Sequence, residues 1–264
     1  MSAPLVVVTR QADAAGSLVE AIEARGMRAW HVPATMTVPP ADVAPLDAAI
    51  EALGDADWLV VTSARAVESL CARDSWQQAW TRATSRVRVA AVGPATSRAL
   101  QAAGIDVHLQ PAGGTAADLL QALRHGAGPL DGRRLVWPHA DIADTSWGTA
   151  LEQAGAEVIA PVAYCTVDVQ ADTLAPLRRA VDEGSVDAVT FCSPSSARSL
   201  ARAFEDRTLH ALADRAVVAA IGKTTAAALE GLGARPDVVS SVPEPAALAD
   251  QLARHLAVSR GGTK

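Results

Sequence analysis

The sequence predicts an α/β protein built on parallel sheets, and three observations carry that expectation. Short apolar runs rich in Val, Leu and Ala alternate along the whole chain with stretches of helical periodicity. The runs are continuous rather than alternately apolar and polar, as strands covered by helices on both faces require. The pattern also recurs after about 130 residues, the mark of a duplicated unit.

The elements follow in order. "LVVVT" reads as a strand and leads into a helix that ends near Gly26. "DWLVVTS" precedes the helical "ARAVESL", and "RVAAVG" precedes "PATSRALQAAG". Gly26, Gly104, Gly155 and Gly233 each stand where a left-handed residue closes a helix, and Pro94 suits a first helical turn. "VIAPVAYCTV" is too short and too β-like for a helix, and it carries Tyr164, the only tyrosine. Its hydroxyl reads either as an ordinary strand phenol reaching water or as a functional group.

The repeat settles what looks like a nucleotide-binding loop at Gly222-Lys223-Thr224-Thr225. "VRVAAVGPATSRALQAAG" (87–104) and "AVVAAIGKTTAAALEGLG" (216–233) match at a spacing of 129 residues, and "DWLVVTSARAVESL" (57–70) matches "DAVTFCSPSSARSL" (187–200) at 130. A phosphate-binding loop needs a glycine five positions before its Gly-Lys pair, and Val217 stands there. The first copy has Pro94 in place of Lys223. What the copies share is a Gly-x-x-Thr turn that ends a strand and opens a helix.

Composition bounds the function. With 264 residues, half of them hydrophobic, two domains with separate cores are expected. The apolar runs are only a few residues long, and "MSAPLVVVTR" reads straight into a strand, so a cytoplasmic protein without membrane segments is expected. Cys71, Cys165 and Cys192 are widely separated, which points to buried thiols rather than disulfides or a zinc site. A net charge of −6 argues against a broad nucleic-acid or membrane surface but permits a local positive site.

In parallel sheets, ligands sit beyond the carboxyl ends of the strands, where helix N-termini offer unpaired amides. Those positions hold Thr9 and Arg10, Thr62 and Ser63, Gly93 and Thr96, Ser193, Ser195 and Ser196, and Gly222, Lys223, Thr224 and Thr225. Hydroxyls and small residues with two cations suit carboxylate or phosphate binding; the alternative is that they are helix caps. The six histidines show no metal-ligating spacing, no nucleophile elbow is present, and His139 reads as a loop residue. Pairs such as Glu20 and Glu23 read as solvated helix faces.

Taken together, "VVVTR", "DWLVVTSARAV", "VAAVGPATSRALQAAG", "LEQAGAEVIAPVAYCTV", "DAVTFCSPSSARSL" and "VAAIGKTTAAALEGLG" resemble the uroporphyrinogen-III synthase family in order and spacing over nearly the whole chain. One segment departs: "RLVWPHADIADTSWGTAL" has Pro138, His139 and acidic residues where an Arg-bearing loop is common. The resemblance implies two flavodoxin-like, doubly wound domains joined by two linker strands. Residues 1–33 with 168–264 would form one domain and 38–161 the other, with linkers at 34–37 and 162–167 and a substrate cleft between the domains.

The implied substrate is hydroxymethylbilane, a linear tetrapyrrole with acetate and propionate arms. Loss of water, ring closure and inversion of the last pyrrole would follow without metal or organic cofactor, in a monomer. Tyr164 would assist departure of the hydroxyl. Thr96, Ser63, Ser193, Thr224 and Thr225 would hold carboxylates, supported by Arg10 and Lys223. The competing class is a non-catalytic binding module for a small polyanion; a nucleotide-using transferase rests only on the discounted GKTT stretch.

Overall fold

The computed structural model describes residues 2–126, 128–203 and 207–261. The chain divides into two compact units, Met1–Met36 with Val167–Lys264, and Thr37–Thr166. The strands among the described residues are β1 (Leu5–Val8), β2 (Arg28–His31), β3 (Thr35–Val38), β4 (Trp58–Val61), β5 (Arg88–Ala91), β6 (Arg134–Val136), β7 (His139–Ala140), β8 (Glu157–Ile159), β9 (Val162–Asp168), β10 (Ala188–Phe191), β11 (Val217–Ala220) and β12 (Val238–Val239).

In the discontinuous unit the sheet order is β12-β11-β10-β1-β2, with every neighbouring pair parallel. The other unit has β5-β4-β6-β8, again parallel, and a parallel bridge from Ala90 to Leu109 extends it beyond β5. The repeat spacing carries β1 onto β6, β2 onto β8, β4 onto β10, β5 onto β11 and Leu109 onto β12. The two sheets therefore have one spatial order, 2-1-3-4-5 counted from the first strand of the repeat, which is the flavodoxin-like arrangement. A third, three-stranded sheet runs β3-β9-β7, and the border between the units falls within β3 and within β9.

The continuous apolar runs are explained by double coverage. Val7, Val189, Val218 and Ala220 enter one core cluster of the discontinuous unit, while Val6, Val8, Ala188 and Ala219 enter another. Leu59, Val61, Val89 and Val136 divide in the same way from Trp58, Val60, Ala90 and Leu135 in the second unit. Successive strand residues face opposite sides, so each strand must be apolar on both.

Register is pinned by a device that the repeat duplicates. Asp187 Oδ2 accepts the Leu5 N–H at 2.7 Å, and its counterpart Asp57 accepts the Arg134 N–H at 2.9 Å. Asp237 Oδ2 accepts the Val218 N–H at 2.8 Å; the counterpart there is His108, whose Nδ1 accepts the Val89 N–H at 3.1 Å. Each bond ties the start of one strand to its neighbour's polar edge and satisfies an otherwise orphan donor.

The helix closures lie where the sequence puts them. Gly155 and Gly233 have φ of 90° and 81°, in the left-handed region that side chains avoid. Space is short there too: a Cβ at Gly155 would lie 2.7 Å from Asp131 Oδ1, and one at Gly233 would clash with His210 Nε2.

Two expectations need correction. Cys71 is exposed, because it ends the helix Ala64–Cys71 outside the buried stripe of Ala66, Val67 and Leu70, and Cys165 and Cys192 are half-buried. His139 is not a loop residue: it lies in β7, only 6% exposed. Its Nδ1 lies 2.7 Å from the Ala140 carbonyl and its Nε2 3.2 Å from that of Ala160, and its ring packs on Trp137. No helix of the described residues is long and apolar enough to cross a membrane.

Candidate functional site

In the discontinuous unit, the carboxyl ends of β10, β11 and β12 enclose a pocket of ≈470 Å³. Ser193, Gly222, Lys223, Thr224 and Thr225 all line it. Gly222 is the N-cap of the helix Lys223–Gly231, extended at φ 178°, and no side chain caps that end. The first-turn amides are therefore free of intrahelical and capping partners and carry the positive end of the helix dipole. The second unit repeats this: Gly93 opens the helix Pro94–Ala102 without a side-chain cap, and Pro94 occupies the first turn.

Thr225 and its repeat partner Thr96 are each 3% exposed, in the first turn rather than at the cap. Lys223 and Thr224 are exposed beside Thr225. Ser193 fulfils the cap alternative, since its Oγ accepts the Ser196 N–H at 3.2 Å; it also lies 2.9 Å from Ser195 Oγ and 2.7 Å from Ser196 Oγ. A three-hydroxyl cluster thus adjoins the pocket.

Thr9 is removed from the binding set. It is fully buried, and its Oγ1 donates to the Thr190 carbonyl at 2.7 Å, so its hydroxyl is spent inside the sheet. Arg10, half-buried, lies two residues beyond β1, and its carbonyl faces His31 Nε2 at 2.7 Å. It is not among the residues lining the pocket. Burial pushes the Cys192 thiol up to about 11, a rise that Arg10 only partly opposes. Such a thiol is protonated at neutral pH and is not a nucleophile.

The sequence reading missed Ser240 and Ser241, which line the same pocket beyond β12. The signal was present, a strand followed by hydroxyls, but β12 has two residues and Val239 is 38% exposed, so no apolar run marks it. Ser240 Oγ donates to the Val242 carbonyl at 2.6 Å.

In the second unit, Thr62 and Ser63 end β4. Ser63 caps the helix Ala64–Cys71 by accepting the Ala66 N–H at 3.1 Å. It also accepts the Tyr164 hydroxyl at 3.1 Å. Tyr164 sits in β9, 8% exposed, and belongs to the core cluster that includes Leu46 and Leu59. The strand phenol therefore does not simply reach water: it is tied to a residue of the predicted binding set. Thr62 Oγ1 accepts the Trp137 Nε1–H at 3.2 Å.

Two duplicated sheets thus each end in an uncapped, glycine-opened helix with a buried threonine. The family profile described as uroporphyrinogen-III synthase HemD matches residues 16–250. The chain belongs to the uroporphyrinogen-III synthase family. It is 30% identical over 199 residues to the uroporphyrinogen-III synthase of Synechococcus elongatus, covering 74% of this chain and 72% of that one. Among solved structures it resembles a mutant uroporphyrinogen III synthase of Thermus thermophilus, with TM-score 0.65, 20% identity, and 97% of this chain and 100% of that one covered. The synthetase of Helicobacter pylori follows, with TM-score 0.60, 16% identity, and 97% and 99% covered. Both bear out the two-domain α/β fold. Membership of the uroporphyrinogen-III synthase family makes the chain an enzyme of tetrapyrrole biosynthesis, with a small tetrapyrrole as its substrate.

Proposed function

We propose that the chain converts hydroxymethylbilane to uroporphyrinogen III, with loss of water and inversion of ring D. The observation that carries this reading is the duplicated binding end: each unit presents free first-turn amides beside a threonine, those of Lys223 to Thr225 in one and those of Ala95 and Thr96 in the other, where Pro94 has no N–H. Such ends hold carboxylates through amide donors and dipole. They leave the substrate's reacting carbons unencumbered. An acidic protein can hold a polyanion in this way because the positive potential is confined to helix ends and Lys223.

The chemistry asks little covalent help of the protein. When the C–O bond of the hydroxymethyl group breaks, oxygen takes the bonding pair and a proton and leaves as water; the pyrrole nitrogen supplies electrons and loses its proton, giving an azafulvene. Unguided closure joins the ends without inversion. Holding the chain ends so that the substituted carbon of ring D attacks is the larger task, and it belongs to the carboxylate-binding amides.

Tyr164 supplies the proton to the departing hydroxyl. Its hydroxyl is bonded to Ser63 in the free protein, so the role requires that bond to be exchanged for one to the substrate, or the proton to be passed through Ser63. Ser195, Ser193 and Lys223 complete the carboxylate contacts in the discontinuous unit, with Arg10 as an outlying cation, and Ser63 and Thr62 do so in the other. The reaction is carried by the chain's own groups, without a cofactor. The test is consumption of freshly generated hydroxymethylbilane against a protein-free control. Consumption well above the control supports the reading; consumption at the spontaneous rate by folded protein overturns it.

A further inference from the structure

We propose that a second pocket, of ≈380 Å³ at the carboxyl ends of β4 and β6, receives one pyrrole ring of the substrate against the packed pair of Trp137 and Trp147, with the ring N–H directed to Asp144. This rests on the function proposed above and names the part of the substrate that one unit holds.

Its walls are apolar, with two indoles among alanines and Leu120, and its polar side chains are few. Trp137 and Trp147 cross edge to face, with centroids 4.7 Å apart and planes at 62°. Gly148 permits that crossing: a Cβ there would lie 3.0 Å from Trp137 Cζ3. Both indole N–H groups are spent within the protein, Trp137 on Thr62 Oγ1 at 3.2 Å and Trp147 on the Ala116 carbonyl at 2.6 Å. The indoles therefore offer the pocket π surface and no donors.

Three polar side chains line it: Thr62, Asp144 and Ser146, the last with its hydroxyl bonded to Asp144. Thr62 has one lone pair occupied by Trp137, so its O–H is available to donate. Asp144, exposed and lining the pocket, accepts the Ser146 N–H at 3.0 Å. The Ser146 hydroxyl and then its N–H hold the Asp144 carboxyl below the usual carboxylate range, so it is ionised at neutral pH. One donor and one anionic acceptor on aromatic walls match a flat N–H heterocycle with an acidic arm. A ringless polyanion would bring Asp144 no N–H to accept and would meet it only as a like charge. The volume lies within the range of small-molecule sites, about 300 to 1,000 Å³.

The test is titration of the whole chain, labelled at the indole nitrogens, with a monopyrrole bearing one acetate and one propionate arm, followed by NMR. Glutarate, a dicarboxylate without a ring, is the control. Resonances are assigned with Trp137→Phe and Trp147→Phe. The pyrrole is expected to shift the Trp137 and Trp147 signals saturably while glutarate leaves them in place, and Asp144→Asn is expected to weaken pyrrole binding about three- to tenfold. Silent indoles, or equal shifts with glutarate, overturn the proposal. Silent indoles in a chain that still consumes hydroxymethylbilane remove the ring subsite alone. Shifted indoles in a chain that does not consume it keep the subsite and remove the function.

Discussion

Ser63 Oγ accepts two hydrogen bonds, from Ala66 N–H and from Tyr164, so both its lone pairs are occupied and its own proton points away from them. Tyr164→Phe removes one of these bonds and, with it, the proposed acid. Turnover of hydroxymethylbilane should fall about ten- to a thousandfold, the range for a positioned acid; unchanged turnover removes Tyr164 from the mechanism. Thr225→Ala should weaken substrate binding by about 1 to 2 kcal/mol if its hydroxyl meets a carboxylate. Calorimetry showing unchanged affinity with a lowered melting temperature would make Thr225 a packing residue. Legibility at this scale follows the hydroxyl inventory. That Lys223, Thr224 and Thr225 lie at a strand's carboxyl end, where they line a pocket, was readable because a strand, a glycine and a helix bracket them. Thr9 was misread because sequence cannot show that its hydroxyl turns back to the Thr190 carbonyl.

At the scale of elements, Asp57 links two strands. Burial alone would raise its carboxyl, but the Arg134 N–H and the Arg133 guanidinium, 2.6 Å away, outweigh that and hold it below the usual carboxylate range. A depressed folded value means the stabilisation is complete above the unfolded value of about 4 and disappears as pH falls through the folded value. Urea unfolding should therefore show stability declining below about pH 4, with a shallower decline in Asp57→Asn; identical slopes would deny Asp57 that part. Gly155→Ala meets both a φ of 90° and Asp131, and should cost about 1 kcal/mol or more, read as a lowered denaturation midpoint. Helix ends were legible because glycine at a left-handed position leaves a sequence mark. His139 and β12 were not: two-residue strands have no periodicity to read.

Across the whole molecule, the duplication was plain in the sequence as spacings of 129 and 130 residues. The side-by-side order of strands was not, because periodicity says which residues are strands and nothing about their neighbours. β1 lies beside β10, 181 residues or more away in sequence, and only the resemblance implied such an order. Likewise the Trp137 and Trp147 pair was invisible as a unit, since the two indoles come from a strand end and a helix and meet only through Gly148.

The central claim is that the chain steers ring closure. The most direct measurement is the partition of product between uroporphyrin isomers III and I, resolved by chromatography after oxidation of the mixture formed from fresh hydroxymethylbilane. Predominantly isomer III is expected. Isomer I alone, formed at the spontaneous rate with folded protein present, would contradict it.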